Sequence, residues 1–257
     1  MGAKKVFIKS ENIVFLGDIH GQIRIVTDYL SRHVDTCLFV TGDCGFGFPE
    51  LSVSYIRLLI DKRFKEILTT RNNYVVFIRG NHDNPAIFKD KTIRRKLQSY
   101  DGRFKVIDDY TQVTVEDNEG VQTSVLCIGG GTSIDRAYRT QGVSYWRDEA
   151  VGYEQYRSLR NPDVLCSHTI MRYAIPLKDE ATFSRMINRD PKLMSDLVEE
   201  DKTMKKIYDY YKPKTWVHGH FHFSHDTTFE KTHIKGLDVY EFYKYKKEER
   251  EDDRKSI

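Results

Sequence analysis

Five short segments of the chain set carboxylates, imidazoles and an amide oxygen beside small residues: Asp18-Ile19-His20, Gly42-Asp43, Gly80-Asn81-His82-Asp83, Ser167-His168 and Gly219-His220-Phe221-His222. Oxygen and imidazole donors without a thiolate suit manganese, iron or zinc better than a structural thiolate zinc site. Asp18, His20, Asp43, Asn81, His168, His220 and His222 are seven candidate ligands. That is too many for one ion that keeps a position open for water or substrate. Two divalent ions are therefore expected, manganese first, with iron, zinc or magnesium as alternatives. Asp43 is the natural bridge, because a shared carboxylate holds two ions roughly 3.5–4 Å apart, a spacing suited to in-line displacement at phosphorus.

These residues can meet only if the elements before them end on one side of the molecule, as strands do at the carboxyl edge of an open α/β sheet. Apolar runs rich in β-branched and aromatic residues predict strands at 6–8, 13–16, 37–40, 74–78, 104–107, 112–115, 121–128, 164–166, 215–218, 226–229 and 239–242. The last two of these are expected to form a pair, and Asp117-Asn118-Glu119-Gly120 to form a hairpin turn. Periodicity predicts core-facing helices over 22–32, with Val26 and Leu30 inward, and over 50–68, with Leu59 and Phe64 inward. A third helix is expected from Asp190 as N-cap and Pro191 as first residue to about Tyr211, within a helical insertion at about 170–212 that reads as a lid or cap. The fold class is α/β (α+β), one domain over 1–243, followed by a charged tail over 244–257.

In this order the five segments resemble the calcineurin-like metallophosphoesterases, a family marked by D-x-H, G-D, G-N-H-D/E, a lone histidine and G-H-x-H. The resemblance implies a four-layer sandwich, two mixed β-sheets flanked by helices. It also implies Asp18, His20, Asp43 and His222 around one metal, and Asp43, Asn81, His168 and His220 around the other. His82 would be the catalytic acid that protonates the leaving oxygen, with Asp83 orienting or polarising it, while a hydroxide bridging the two ions attacks phosphorus.

Gly17-Asp18-Ile19-His20-Gly21 and Arg79-Gly80-Asn81-His82-Asp83 are similar to the serine/threonine protein phosphatase branch, but Asp43 is followed by Cys44-Gly45-Phe46-Gly47. That branch continues into Asp-Arg-Gly, whose arginine grips phosphate. A guanidinium clamp must then come from elsewhere, and Arg136, Arg139 and Arg147 follow the break Gly129-Gly130-Gly131. Tyr138, Tyr145 and Trp146 lie in the same segment, a composition that suits phosphate on a planar or nucleoside group. The expected activity is hydrolysis of a phosphomonoester on a phosphoprotein or a small nucleotide. The alternatives are a phosphodiesterase or nuclease acting on cyclic or short nucleotides and, behind it, a non-catalytic scaffold.

Composition narrows the partners. With 41 basic and 38 acidic residues among 257, a net charge of +3 and 39% hydrophobic content, the chain is expected to be globular and disfavours long nucleic acids, which need a basic stripe. No apolar run is long enough for a membrane span or a secretory leader, and four cysteines without a C-x-x-C pair fit the cytoplasm. His33, His218 and His225 read as structural, Cys44 as a small buried thiol, and Tyr208, Tyr210 and Tyr211 as helix packing. Arg79 reads equally well as a substrate contact or a buried ion pair.

Overall fold

The computed structural model describes residues 4–97, 101–176 and 180–247. Twelve strands run in chain order: β1 (Lys4–Lys9), β2 (Asn12–Leu16), β3 (Thr36–Val40), β4 (Tyr74–Phe77), β5 (Phe104–Val106), β6 (Thr111–Glu116), β7 (Gln122–Ile128), β8 (Val164–Ser167), β9 (Thr215–His218), β10 (His225–Phe229), β11 (Thr232–Gly236) and β12 (Phe242–Lys244). They form a seven-stranded sheet, β1-β6-β7-β8-β9-β11-β10, and a five-stranded sheet, β12-β2-β3-β4-β5. Both are mixed: β2, β3, β4 and β5 pair in parallel and β12 antiparallel to β2, whereas β7, β8, β9 and β11 pair in parallel beside antiparallel neighbours.

The two-residue period of the strands accounts for the layering. Ile13 and Phe15 of β2, Cys37 and Phe39 of β3 and Val76 of β4 share one core with Val113, Val125, Cys127, Val164, Cys166 and Val217 of the larger sheet. The alternate residues Val14, Leu16, Leu38, Val40, Val75 and Phe77 face the other way and pack on helices. Those helices are α1 (Arg24–Arg32), α2 (Pro49–Ile60), α3 (Lys62–Thr69) and the short α4 (Pro85–Lys89), which is followed by α5 (Lys91–Leu97). On the outer side of the larger sheet, Leu126, Leu165, Trp216 and Ile234 meet Met204, Ile207, Tyr208 and Tyr211 of α7 (Leu193–Tyr211), which follows α6 (Glu180–Arg189). This is the expected sandwich of two sheets between helical layers. Among the described residues no helix is long and apolar enough to cross a membrane.

Several boundaries differ from expectation. The helix expected over 50–68 breaks at Asp61, which is extended and accepts hydrogen bonds from the N–H groups of Arg63 (2.8 Å) and Phe64 (3.3 Å), so it caps α3. Asp190 accepts from the N–H of Lys192 at 3.0 Å, but the helix it was expected to cap begins at Leu193. The hairpin partner of β10 is β11, not the segment at 239–242. That later segment begins its strand at Phe242 and crosses to the smaller sheet, pairing with β2. Lys244 therefore belongs to a strand and not to the tail, whose residues 248–257 lie outside the described residues.

Candidate metal centre

Each ligand candidate sits just beyond a strand. Asp18 follows β2, Asp43 follows β3, Asn81 follows β4, His168 follows β8, and His220 and His222 follow β9, so both sheets deliver ligands to one place. Asp18, Asp43, Asn81 and His168 are buried. One ligand atom from each of Asp18, His20, Asp43 and His222 lies within 4.8 Å of the others, a group that could hold a metal ion. His222 Nε2 is 3.1 Å from Asp18 Oδ2 and 3.1 Å from His20 Nε2. Beside this group, His168 Nε2 lies 2.8 Å from Asn81 Oδ1, 3.2 Å from Asp43 Oδ1 and 3.2 Å from His220 Nδ1. The structure thus brings all seven sequence candidates together.

The donor chemistry of His168 tests whether a cation fits. Its Nδ1 lies 2.8 Å from the carbonyl oxygen of Thr41, a contact that makes Nδ1 the donor and leaves Nε2 without a proton in the neutral ring. That bare nitrogen faces oxygen lone pairs on Asn81 and Asp43, an arrangement only a positive charge reconciles. Burial lowers the His168 ring, but Asp43 and Asp18 carry it up to about 10. Burial raises the Asp43 carboxyl, yet the imidazoles of His168, His82 and His20 bring it well below the usual range. A histidine anchored by a backbone carbonyl through its second nitrogen is the common arrangement of a metal ligand. The residues fit a divalent cation.

The backbone is shaped around these groups. His20, Asp43, His220 and His222 adopt left-handed φ values of 41, 47, 70 and 50°, a conformation costing non-glycine residues about 1–3 kcal/mol each and tolerated mainly at functional sites. Gly80 and Gly219 are required by contact: a Cβ on Gly80 would lie 2.1 Å from Asp43 Oδ1 and 2.2 Å from its backbone nitrogen, and one on Gly219 would lie 2.1 Å from Asp18 Oδ1. The carboxylates are also pinned by N–H donors, Asp43 by His82 (2.8 Å) and Asp18 by His220 (3.1 Å).

His82 places Nε2 3.9 Å from Asp43 Oδ2 and in hydrogen-bonding contact with Arg139 Nη2. Burial lowers its ring to about 4, with Asp43 acting against that and Arg139 and His20 adding to it. Asp83, expected to orient His82, instead accepts from the backbone N–H groups of Gly80 (2.7 Å), Phe46 (2.8 Å) and Cys44 (3.1 Å). It binds the loop after β4 to the loop after β3, and burial together with Asp43 raises it to about 7.

The three arginines diverge. Arg139 is held by Asp135 at 2.6 Å and reaches the cluster. Arg136 instead forms ion pairs with Asp190 (2.5 Å) and Asp196 (2.6 Å) on the α7 side, and the exposed Arg147 lines a neighbouring cavity of about 730 Å³. Arg79 is 1% exposed and binds Asp109 through Nε and Nη2 at 3.0 and 2.8 Å and the carbonyl of Glu149 at 2.5 Å, so it is a structural ion pair. His218 is buried, depressed to about 3 by that burial, and bound to His225 at 3.3 Å.

Three residues near the site carry no motif signal: Phe48, Ser133 and Glu149. The Phe48 ring stacks on His82 with centroids 6.4 Å apart and meets Trp146 edge-on at 5.6 Å. Asn81 Nδ2 donates to Ser133 Oγ at 2.9 Å, and Ser133 donates to Glu149. Burial raises the Glu149 carboxyl to about 8 despite the Ser133 donors.

This fold, with carboxylates and imidazoles gathered where strands of both sheets end, defines a metallophosphoesterase: the chain belongs to the calcineurin-like phosphoesterase family, whose sequence profile matches residues 11–224. Among solved structures it is similar to a phosphopantetheinyl hydrolase from Mycobacterium tuberculosis (14% identity, TM-score 0.40, covering 93% of this chain and 91% of that one). It is similar also to a protein serine/threonine phosphatase from Saccharomyces cerevisiae (14%, TM-score 0.32, 92% and 72%). A third is described as a 5′-nucleotidase from Staphylococcus aureus (9%, TM-score 0.39), of which the matched region spans 49%, against 89% of this chain. No curated protein matches the sequence.

Proposed function

We propose that the chain is a cytoplasmic dimetal phosphomonoesterase acting on a small nucleotide or a phosphoprotein, with manganese as its metal. Asp18, His20, Asp43 and His222 hold one ion, and Asp43, Asn81, His168 and His220 hold the other. When bound, the ions activate water for attack on phosphorus and neutralise charge on the phosphoryl oxygens. The observation that carries the monoester reading is Arg139: Asp135 aims its guanidinium at His82 beside the ligand cluster, where it can grip two oxygens of a terminal phosphoryl group. A diester has one free oxygen fewer. His82, whose backbone N–H is fixed to Asp43, is the group placed to give a proton to the leaving oxygen; burial and Arg139 hold its ring low, and the negative charge of a bound phosphoryl group acts against both. Phe48 stacks against His82 on that side, which favours a planar leaving group.

The test compares p-nitrophenyl phosphate with its bis-ester on metal-stripped protein reloaded with manganese, iron, zinc or magnesium. Monoester turnover is expected, and Arg139→Ala should lower its kcat/KM about 10- to 100-fold, the worth of a lost charge-assisted contact, with a smaller effect on the diester. Preference for the diester overturns the monoester assignment, and no turnover with any metal favours a scaffold.

A further inference from the structure

Asn81 meets the ligand cluster through an amide whose two ends are chemically opposite. Oδ1 lies 2.8 Å from His168 Nε2, while Nδ2 donates to Ser133 Oγ at 2.9 Å. Ser133 in turn donates its hydroxyl to Glu149 Oε2 at 2.8 Å and its backbone N–H to Oε1 at 2.7 Å. Asn81, Ser133 and Glu149 are 3%, 0% and 3% exposed, so no solvent competes for these bonds. A serine hydroxyl has one proton. Once it is given to the carboxylate, the oxygen can only accept from Asn81, which must turn its NH2 end to Ser133 and its carbonyl end to the cluster.

We propose that Glu149 is a positioning residue of the metal centre, fixing through Ser133 the carbonyl end of Asn81 toward the ion. The inference rests on the reading of Asn81 as a ligand. Glu149 is itself anchored: its carbonyl accepts from Arg79 at 2.5 Å and from the Gly131 N–H at 3.2 Å. Without the carboxylate, the Ser133 proton is free to turn toward Asn81, and the amide can flip to present N–H groups where a cation binds. A cation on Asn81 Oδ1 favours negative charge on Glu149, so metal uptake and the carboxylate reinforce each other. Glu149→Gln keeps the size but supplies an amide that can donate to Ser133, and so reverses the polarity of the chain.

Titration calorimetry with Mn²⁺ on metal-stripped wild type, Glu149→Gln, Asn81→Ala and the double variant tests this. Glu149→Gln should weaken one of the two Mn²⁺ sites about 10- to 100-fold, the usual effect of losing an outer partner of a ligand, and leave the other unchanged. In the Asn81→Ala background it should add nothing, because its effect passes through Asn81. Ser133→Ala, which removes no charge, must weaken the same site. Two ions bound equally by wild type and Glu149→Gln, or a loss that persists undiminished without Asn81, overturns the positioning role alone. If the wild type binds no Mn²⁺ the series is repeated with Fe²⁺, Zn²⁺ and Mg²⁺, and a wild type that binds none of them overturns the metal reading and this role with it.

Discussion

At the scale of single residues, His82 is fixed through its backbone while its ring stays 3.9 Å from the Asp43 carboxylate. Its N–H is fixed to Asp43 at 2.8 Å, its ring stacks on Phe48, and its Nε2 faces Arg139. Replacing the imidazole with an amide preserves the backbone anchor and the metal ligands but removes the group that can deliver a proton. His82→Asn should therefore retain wild-type metal content and lose about 10²- to 10⁴-fold in kcat on esters with poor leaving groups. Esters with good leaving groups should lose less. An equal, small loss on both substrates would sink the acid role. The ligand candidates and His82 stood out in the sequence because strand, glycine and donor stand next to one another in the chain, and the structure brings them together. Asp83 misled because adjacency to His82 suggested a partnership, whereas three backbone N–H groups compete successfully for its oxygens. Ser133 and Glu149 were invisible for the opposite reason: Ser133 is 52 residues from Asn81 and 16 from Glu149, so their chain of bonds exists only once β4 and the loop after β7 are side by side.

At the scale of elements, the site depends on β7, β8 and β9 ending in register, and one carboxylate at the opposite edge helps to hold them. Asp163, just before β8, accepts from the N–H and hydroxyl of Ser124 on β7 at 2.9 and 2.8 Å and pairs with Lys214, just before β9, at 2.9 Å. Burial pushes the Asp163 carboxyl up, but the Ser124 donors and Lys214 outweigh it and leave it below the usual value. A carboxyl lowered in the folded state stabilises above its unfolded pKa, near 3.9, and loses that contribution as pH falls through the folded value. Asp163→Ala should cost about 1–3 kcal/mol at pH 7 in urea unfolding, and the gap from wild type should narrow as pH falls below about 4. A gap independent of pH would show that the clamp is not electrostatic. Apolar runs made most strands readable, the edge strands β1, β5 and β10 among them, but β11 was missed and β12 was placed too early. β11 (Thr232–Gly236) has only one aliphatic residue, Ile234, inside its bounds, and is defined by parallel pairing with β9. The break between α2 and α3 is set by a cap at Asp61 that interrupts an otherwise continuous apolar period.

At the scale of the whole molecule, the two sheets share a core in which alternate residues of β2, β3 and β4 meet those of β6, β7, β8 and β9. Apolar contact between sheets is non-directional and leaves their ends free to shift. At the ligand end, by contrast, Asp18, Asp43 and Asn81 come from the smaller sheet and His168, His220 and His222 from the larger, so cations bound there would join the sheets as well as serve chemistry. Three of these residues, Asp43, His220 and His222, and the neighbouring His20 also hold left-handed backbone, strain that metal binding can offset because an unfolded chain does not assemble the site. The protein should consequently gain stability with metal. At 100 times the dissociation constant one ion contributes about 2.7 kcal/mol, which for a chain of this size raises the melting temperature by about 5–10 °C. Calorimetric scans with EDTA and then with excess Mn²⁺ should show that rise in wild type. Asp43→Asn, which removes the carboxylate common to both ligand sets, should melt at nearly the same temperature in either condition. A rise of equal size in Asp43→Asn would place the bound metal somewhere other than between the sheets, and the absence of any rise in wild type would mean that the cluster does not hold manganese.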